Sequence, residues 1–252
     1  MSAHPRLHPA AAAGFEHGAQ AYDRGRPGYP AAAIELLVAQ LQIGSGSTVI
    51  DLAAGTGKLT AALLPTGAEI IAVEPVAGMR QAMARTMPQV RAADGTAESL
   101  PVADDSADAV VVGQAFHWFD GPLALAEIAR VLRPGGGLGI VFNVREGDDP
   151  IQAALERIWE PYRGDTPTHR GGAWRSAFDT TERFSPLLHR SFANDQRAGV
   201  EQLVDRVVSV SFIARLSTAE RVEVEEQVRA LVPDGGHVVL PYRTDVYCAT
   251  SR

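Results

Sequence analysis

The stretch DLAAGTGKLT, residues 51–60, places two glycines between an apolar run and a helical pattern. The run that leads into it, TVIDL (48–52), is short and rich in β-branched residues, which is typical of a buried strand. Gly55 and Gly57 suit a strand-to-helix turn, because glycine leaves room for a ligand and adopts positive φ at little cost. Ligands of open α/β sheets bind at the carboxyl ends of the strands, so this turn is predicted to bind one.

Similar apolar runs recur along the chain and predict a parallel sheet. They are EIIAV (69–73), the weaker QVRAAD (89–94), DAVVVG (108–113) and LGIVF (138–142). These runs alternate with helical patterns such as LALAEIARVL (123–132), which RPGGG ends. Strands that are continuously apolar are buried on both faces, so the pattern predicts a doubly wound α/β fold.

After LGIVF the alternation stops. A helical pattern follows Asp149, and Ser217 with Glu220 forms a capping box in front of a later one. The end of the chain, VVLPYRTDVYCAT (238–250), is predicted to be a strand pair or a single strand. We therefore predict one domain with an elaboration near residues 150–215.

Composition narrows the class of protein. The chain has 252 residues and a net charge of −7, which argues against binding to nucleic acid. No apolar stretch is long enough for a membrane span, and the start resembles no export signal. Cys248 is the single cysteine, which excludes an internal disulfide and fits the cytoplasm. His4 and His8 are separated by proline, so no metal site is predicted.

Two common kinds of glycine turn do not match this one. A phosphate-binding loop needs glycine where Leu52 stands and Ser or Thr where Leu59 stands. A dinucleotide-binding turn needs a third glycine where Thr60 stands. Lys58 is therefore predicted to lie on a solvated helix face.

Two carboxylates favour a different ligand. Asp51, at the mouth of the turn, would repel a pyrophosphate but would suit a positively charged group. Glu74 follows the second strand, about 20 residues beyond the glycine turn. An acid at this position binds ribose hydroxyls, and it does so in NAD sites too, so Glu74 alone does not distinguish the two cofactors. Together the two acids favour S-adenosylmethionine, which carries a sulfonium, an ammonium and a ribose but no phosphate.

Five blocks in order resemble the class I S-adenosylmethionine-dependent methyltransferases. They are DLAAGTGKLT, VEPVAGM (73–79), DGTAESLP (94–101), AFHWFD (115–120) and EIARVLRPGG (127–136). AYDRGRPGYP (21–30) and LPYRTDVY (240–247) extend the likeness to the small-molecule branch that includes trans-aconitate methyltransferase-like proteins. The resemblance covers most of residues 14–250.

The resemblance implies a single Rossmann-like methyltransferase domain over residues 1–252. Its sheet would be seven-stranded and mostly parallel, with an antiparallel C-terminal strand and a helical insert. The implied parts are an N-terminal lid (1–30), a cofactor-binding core (44–145), a helical insert that caps the substrate (150–215), and a closing helix with the C-terminal strand (216–252).

The resemblance also implies the cofactor contacts. Those expected around the methionine end are Asp51, Ala53, Gly55 and Gly57. Those expected around the ribose and adenine are Glu74, Met79, Asp94, Thr96 and Ala97. Those expected near the methyl group are Gln114 and Phe116. Many relatives carry glycine where Ala53 stands.

Candidates for the acceptor side are less specific. His117 has the chemistry of a general base, although a carboxylate acceptor would need none. Trp118 could contact substrate or, with Phe119, cap the core. Tyr22 and Arg26 could touch the cofactor or an acidic substrate, or form a structural clasp with Phe15. Further candidates, which fit an amphipathic helix and polar loop equally well, are Trp159, Tyr162, Arg163, His169, Arg170, Trp174 and Arg175.

The prediction is a cytoplasmic enzyme of the methyltransferase class. It would move the methyl group of S-adenosylmethionine to an oxygen, nitrogen or carbon of a small molecule, for which an acid is one candidate, and release S-adenosylhomocysteine. The predicted partners exclude nucleic acid and membrane, and the predicted assembly is a monomer or homodimer. Two alternatives stay open: a non-catalytic cofactor-binding or interaction protein on the same fold, and an NAD(P)-dependent oxidoreductase.

Overall fold

The computed structural model describes residues 19–164, 166, 172–232 and 236–252. Its strands are β1 (Thr48–Leu52), β2 (Glu69–Val73), β3 (Arg91–Ala93), β4 (Ala107–Gly113), β5 (Leu132–Arg145), β6 (Leu188–Ala193), β7 (Gln196–Gly199), β8 (His237–Leu240) and β9 (Tyr242–Thr250). Its α-helices are α1 (Ala19–Gly25), α2 (Ala31–Gln40), α3 (Lys58–Leu63), α4 (Ala77–Thr86), α5 (Gly121–Val131), α6 (Pro150–Trp159), α7 (Ser176–Asp179), α8 (Val200–Val208) and α9 (Thr218–Arg229).

The main sheet has seven strands in the order β3-β2-β1-β4-β5-β9-β6. Strands β1 to β5 pair in parallel, and β9 runs antiparallel to both β5 and β6. This confirms the predicted doubly wound, mostly parallel sheet with an antiparallel C-terminal strand. The chain leaves β1 toward β2 and later returns to β1's other side as β4. A crevice therefore opens at the carboxyl ends of β1 and β4, where ligands of such sheets bind.

Both faces of the sheet are buried, which explains the continuous apolar runs. On one face Ile50 and Val110 pack in a core that includes Leu125 of α5. On the other face Val49 packs in a core that includes Leu37 of α2. Alternate residues of one strand thus enter opposite cores, and the sheet holds its carboxyl edge rigidly.

A third core lies beside the sheet. It joins α6, α8 and α9 through side chains such as Leu155, Val207 and Val224. Ser217 and Glu220 form the predicted capping box in front of α9. The segment 150–215 also contributes β6 to the main sheet and β7 to a two-stranded sheet with β8. Strand β6 is mostly exposed, so its sequence carried no apolar signal.

The predicted strand LGIVF (138–142) is part of a longer strand. Helix α5 ends at Val131, within one residue of the predicted end, and β5 begins at Leu132 and runs through RPGGG to Arg145. The pairing of β4 with β5 shifts register here, and Gly135 at φ 79° supplies the backbone freedom that this requires. At the C-terminus Pro241 separates two strands that pair with different partners, β8 with β7 and β9 with β5 and β6.

Candidate active-site cleft

A cleft opens where β1 and β4 end. It encloses about 560 Å³ of empty space, a volume that includes the open solvent at its mouth. Its lining residues come from the N-terminal segment, the glycine turn, the ends of β4 and β5, α8 and the start of β9. They are Arg26, Pro27, Tyr29, Asp51, Ala53, Ala54, Gly55, Thr56, Lys58, Leu59, Gly113, Gln114, Asn143, Arg206 and Tyr242.

The backbone at this edge is held in an unusual conformation. Ala53 and Gln114, each directly after its strand, have φ of 54° and 63°. A side chain in this left-handed region costs about 1–2 kcal/mol, and such strain is commonly retained at ligand sites. Gly55 and Gly57 are also left-handed, at 61° and 87°. Glycine in place of Ala53 would relieve the strain at that position.

The two glycines of the turn have different roles. A Cβ at Gly57 would lie 2.2 Å from Met87 Cε and 3.0 Å from Met83 Cγ, so Gly57 serves packing against α4. A Cβ on Gly55 would meet no atom within 4 Å among the residues described, although Gly55 lines the cleft. The space beside Gly55 is therefore available to a ligand.

Gly55→Ala should weaken ligand binding in the cleft at least about 10-fold while costing the fold only about 1–2 kcal/mol. Gly46→Ala is the matched control, because Gly46 is equally left-handed at φ 91° with open space around it but lies at the other end of β1. Titration calorimetry with S-adenosylhomocysteine and urea unfolding measure the two effects. Equal ligand affinity in the two variants would contradict a ligand contact at Gly55.

Asp51 is fully buried beneath the turn. Its Oδ2 accepts a hydrogen bond of 2.5 Å from Thr60 Oγ1, whereas its Oδ1 has no hydrogen-bond partner among the described residues. Burial raises the pKa of this carboxyl to about 7, with a smaller contribution from Glu74 and an opposing one from Thr60. The site therefore favours a positively charged or hydrogen-donating ligand at Oδ1.

Glu74 closes the turn from the next strand. Its Oε2 accepts from the Gly55 N–H at 2.9 Å, and its Oε1 accepts from the Val76 N–H at 2.8 Å. Burial raises the pKa of Glu74, although these two hydrogen bonds and the charge of Arg80 oppose the rise. Glu74 thus fixes the position of Gly55, and each of its oxygens keeps a second lone pair for a ligand.

The residues predicted around the adenine lie along the ends of β2 and β3, outside the cleft lining. Asp94 is exposed and pairs with Arg80 at 3.0 Å. Met79 and Ala97 are buried, and Thr96 Oγ1 is buried with no hydrogen-bond partner in the described part of the chain.

Residues 23–30, here called the strap, connect the end of α1 to the start of α2 and contribute Arg26, Pro27 and Tyr29 to the lining of the cleft. Lys58 Nζ donates to the carbonyls of Asp23 at 2.8 Å and Arg26 at 3.0 Å, so the predicted solvated position of Lys58 was wrong. Between these two residues, the side chain of Arg24 pairs with Asp205 of α8 at 2.7 Å. The strap therefore links the glycine turn to the third core. Tyr22 lies in α1, but its side chain is outside the described set.

The aromatic block after β4 mostly packs into the core. Phe116 is buried, with its ring centroid 5.6 Å from that of Trp174. His117 lies over Phe142, at 5.8 Å between centroids, and beside Trp118 at 5.1 Å. None of these residues lines the cleft, although Gln114 just before them does.

Of the candidates in the insert, those described have structural partners. Trp159 is buried beneath the guanidinium of Arg145 at 4.3 Å, and Arg163 pairs with Glu156 and Glu160. Trp174 is in the core, Arg175 contacts Tyr247, and Tyr162 lies in a short 3-10 turn. The remaining candidates, His4, His8, Phe15, His169 and Arg170, lie outside the described residues.

Sequence reasoning missed two residues of the cleft, Arg206 and Tyr242. Arg206 Nε donates to Tyr242 Oη at 3.1 Å, and the two side chains are almost fully buried. A signal was present, because Arg206 interrupts the apolar face that Leu203 and Val207 form on α8. A charge on the buried face of a helix indicates a buried polar partner.

Comparison with known proteins agrees with this geometry. Residues 50–140 match the family model described as a methyltransferase domain. The chain is 35% identical, over 94% of its length and 95% of the relative's, to an uncharacterized methyltransferase of Mycobacterium tuberculosis. A methyltransferase-like protein of Schizosaccharomyces pombe, also uncharacterized, is 33% identical over 82% of this chain and 81% of its own. The chain belongs to the class I S-adenosylmethionine-dependent methyltransferases.

Solved structures share the fold. One, provisionally assigned as a type II methyltransferase from Anaeromyxobacter dehalogenans, superposes with a TM-score of 0.66 at 22% identity, covering 90% of this chain and 97% of that one. Geranyl diphosphate C-methyltransferase from Streptomyces coelicolor was solved with S-adenosyl-L-homocysteine. It superposes with a TM-score of 0.50 at 16% identity, covering 88% of this chain and 76% of that one. Within the described residues, no helix is both long and apolar enough to cross a membrane.

Proposed function

We propose that this protein transfers the methyl group of S-adenosylmethionine to a small-molecule acceptor and releases S-adenosylhomocysteine. The observation that carries the proposal is Asp51. A buried carboxylate with one oxygen lacking a described partner is costly unless a ligand supplies a cation or donor. The ammonium of the methionine moiety is such a group, whereas the pyrophosphate of NAD(P) is not.

The residues present fit this cofactor. Asp51 would hold the ammonium, the open space beside Gly55 would admit the methionine chain, and Glu74 would accept from the ribose hydroxyls. The adenine would lie toward Met79, Asp94, Thr96 and Ala97. When bound, the cofactor supplies an activated methyl group. The S-adenosyl-L-homocysteine in the Streptomyces coelicolor structure supports this choice.

The rest of the cleft would orient the acceptor and exclude water, which is what direct methyl displacement chiefly requires. Gln114 stands directly after β4, and the strap contributes Arg26 and Tyr29 to the lining. Lys58 holds the strap against the turn. Direct transfer without a general base is available to an acceptor that is already ionised.

The finer assignments are also proposals. We place the chain in the branch that includes trans-aconitate methyltransferase-like proteins. Its acceptor is a small molecule with an acidic group, either a carboxyl or a weakly acidic hydroxyl, and the cations Arg26, Lys58 and Arg206 in the lining support this. We place the protein in the cytoplasm because of its single cysteine, acting as monomer or homodimer without nucleic-acid or membrane partners. A non-catalytic binding protein and an NAD(P)-dependent oxidoreductase are the alternatives that the experiments below separate.

A labelled-methyl assay tests the proposal. The purified protein is incubated with methyl-labelled S-adenosylmethionine and cell extract, and labelled small molecules are identified by mass. We expect one labelled product class that Gly55→Ala reduces and Gly46→Ala does not. Tight binding of S-adenosylhomocysteine with no labelled product would instead support the non-catalytic alternative.

A further inference from the structure

We propose that Tyr242 accepts the proton that an acceptor's hydroxyl group loses during methyl transfer, and that Arg206 holds its phenol oxygen in place for this step. The inference rests on the proposed function, because it assigns a residue to the same cleft. Tyr242 is the first residue of β9 and pairs with Arg145, the last residue of β5. It therefore lies at the carboxyl edge of the sheet, and it lines the cleft together with Gly55 and Gln114.

The contact between the two side chains leaves a charge unbalanced. Arg206 Nε donates to Tyr242 Oη at 3.1 Å, with 5% of Arg206 and 3% of Tyr242 exposed. Arg206 makes no ion pair with a carboxylate in the described ranges, and its Nη1 is buried without a hydrogen-bond partner there. Its guanidinium lies 5.5 Å from the centre of the Trp159 ring, which is a weaker partner than an anion. A buried cation is costly without an anion. A phenolate at Tyr242, or an oxyanion forming on the acceptor, would supply one.

The surrounding charges favour ionisation of the phenol. Burial by itself would raise the pKa of Tyr242, but the cations of Arg206, Arg26 and Arg145 lower it below the ordinary value. Arg206 comes from α8, Arg26 from the strap and Arg145 from β5, so positive charge faces Tyr242 from three elements. The other charged groups of the cleft lining are Asp51 and Lys58.

This arrangement points to an acceptor with a weakly acidic hydroxyl, such as a phenol or an enol. Proton transfer is efficient when donor and acceptor pKa values are close, and phenols and enols lie near tyrosine. A carboxylic acid would already be ionised and would leave Tyr242 without a role. Arg206 Nη1, whose hydrogens have no acceptor in the described part of the chain, would donate to the acceptor's oxygen as negative charge develops there.

The step balances. Tyr242 begins the step as the phenolate: the acceptor's O–H bond breaks and its proton passes to the phenolate oxygen, while the acceptor's oxygen bonds the methyl carbon. The S–CH₃ bond breaks, and its electron pair neutralises the sulfonium sulfur. After the product leaves, Tyr242 returns the proton to water, so each turnover releases one proton. His117 packs beside Phe142, outside the cleft lining, so Tyr242 rather than His117 is positioned to accept the proton.

The first test needs no acceptor. Tyrosinate absorbance is titrated in the complex with S-adenosylhomocysteine, and we expect one ionisation below pH ~10, the ordinary tyrosine value. That step should vanish in Tyr242→Phe, move to higher pH in Arg206→Gln, and persist in the control Tyr247→Phe. Tyr247 is a suitable control because it is also buried, lies outside the cleft, and has a raised pKa. An early step that survives in Tyr242→Phe would overturn the inference.

The second test uses the acceptor found in the labelled-methyl assay. Tyr242→Phe should lower kcat about 100-fold or more and remove the rise of kcat with pH, while affinity for S-adenosylhomocysteine is unchanged. Arg206→Gln should also lower kcat, and Arg206→Lys, which keeps the positive charge, should retain more of the wild-type kcat than Arg206→Gln does. A carboxylic acid acceptor, unchanged kcat in Tyr242→Phe, or loss of the pH dependence in His117→Ala alone would overturn the inference. Absence of cofactor binding in the wild type would instead defeat the proposed function.

Discussion

Asp51→Asn should stabilise the cofactor-free protein by up to about 4 kcal/mol above pH ~7, and by almost nothing near pH ~4. The pKa of Asp51 is raised to about 7 because the carboxyl is buried. Between the unfolded pKa of about 3.9 and the folded value, the native state binds the extra proton, so stability falls as pH rises. The full cost is present above pH ~7, and asparagine removes it.

Urea unfolding at several pH values, without cofactor, measures this. Asp245→Asn is a control of opposite sign. Burial alone would raise the pKa of Asp245, but hydrogen bonds from Arg243 and Ser191 outweigh burial, and the pKa lies below its ordinary value. That carboxylate stabilises the fold above its unfolded pKa and loses its contribution as pH falls through the folded value, so Asp245→Asn should destabilise at neutral pH. A stability gain for Asp51→Asn that does not change with pH would contradict a protonated Asp51 in the free protein.

Glu74→Ala should weaken binding of S-adenosylhomocysteine about 100-fold, or about 3 kcal/mol. The change removes the acceptor for the ribose and leaves the N–H groups of Gly55 and Val76 without their side-chain partner. Glu74→Gln keeps one carbonyl oxygen for these donors and should fall between the wild type and the alanine variant. Calorimetric titration gives the affinities, and thermal unfolding confirms that each variant is folded.

A cofactor analogue separates the two effects of Glu74→Ala. S-adenosylhomocysteine lacking one ribose hydroxyl should bind the wild type more weakly than the parent compound does. Glu74→Ala should bind the two compounds equally, because the ribose contact is already lost. If the variant distinguishes them as strongly as the wild type, Glu74 acts only by holding the turn, and the ribose assignment is wrong.

The fold could be predicted because its strands are buried on both faces. TVIDL and EIIAV form β1 and β2 with the predicted bounds, since an apolar run of this kind has few other stable environments. Strand β6 could not be predicted, because LHRSFA lies at the sheet edge and is mostly exposed. Its place depends on pairing with β9, which is far along the chain.

The site could be predicted only where local sequence determines it. Asp51 and Gly55 follow directly from the strand and turn, and the structure places both in the cleft. Arg206 and Tyr242 come from α8 and β9, which only tertiary packing brings to the glycine turn. Lys58 was assigned to solvent for the same reason, since its partners are backbone carbonyls of a strap more than thirty residues earlier.

Calorimetric titration of the wild-type protein tests the central claim most directly. S-adenosylhomocysteine and NAD(P) are titrated separately, each into wild type and into Asp51→Asn. We predict one site for S-adenosylhomocysteine, weakened in Asp51→Asn because the ammonium loses its carboxylate, and no heat from NAD(P). Binding of NAD(P) with no response to S-adenosylhomocysteine would contradict the account.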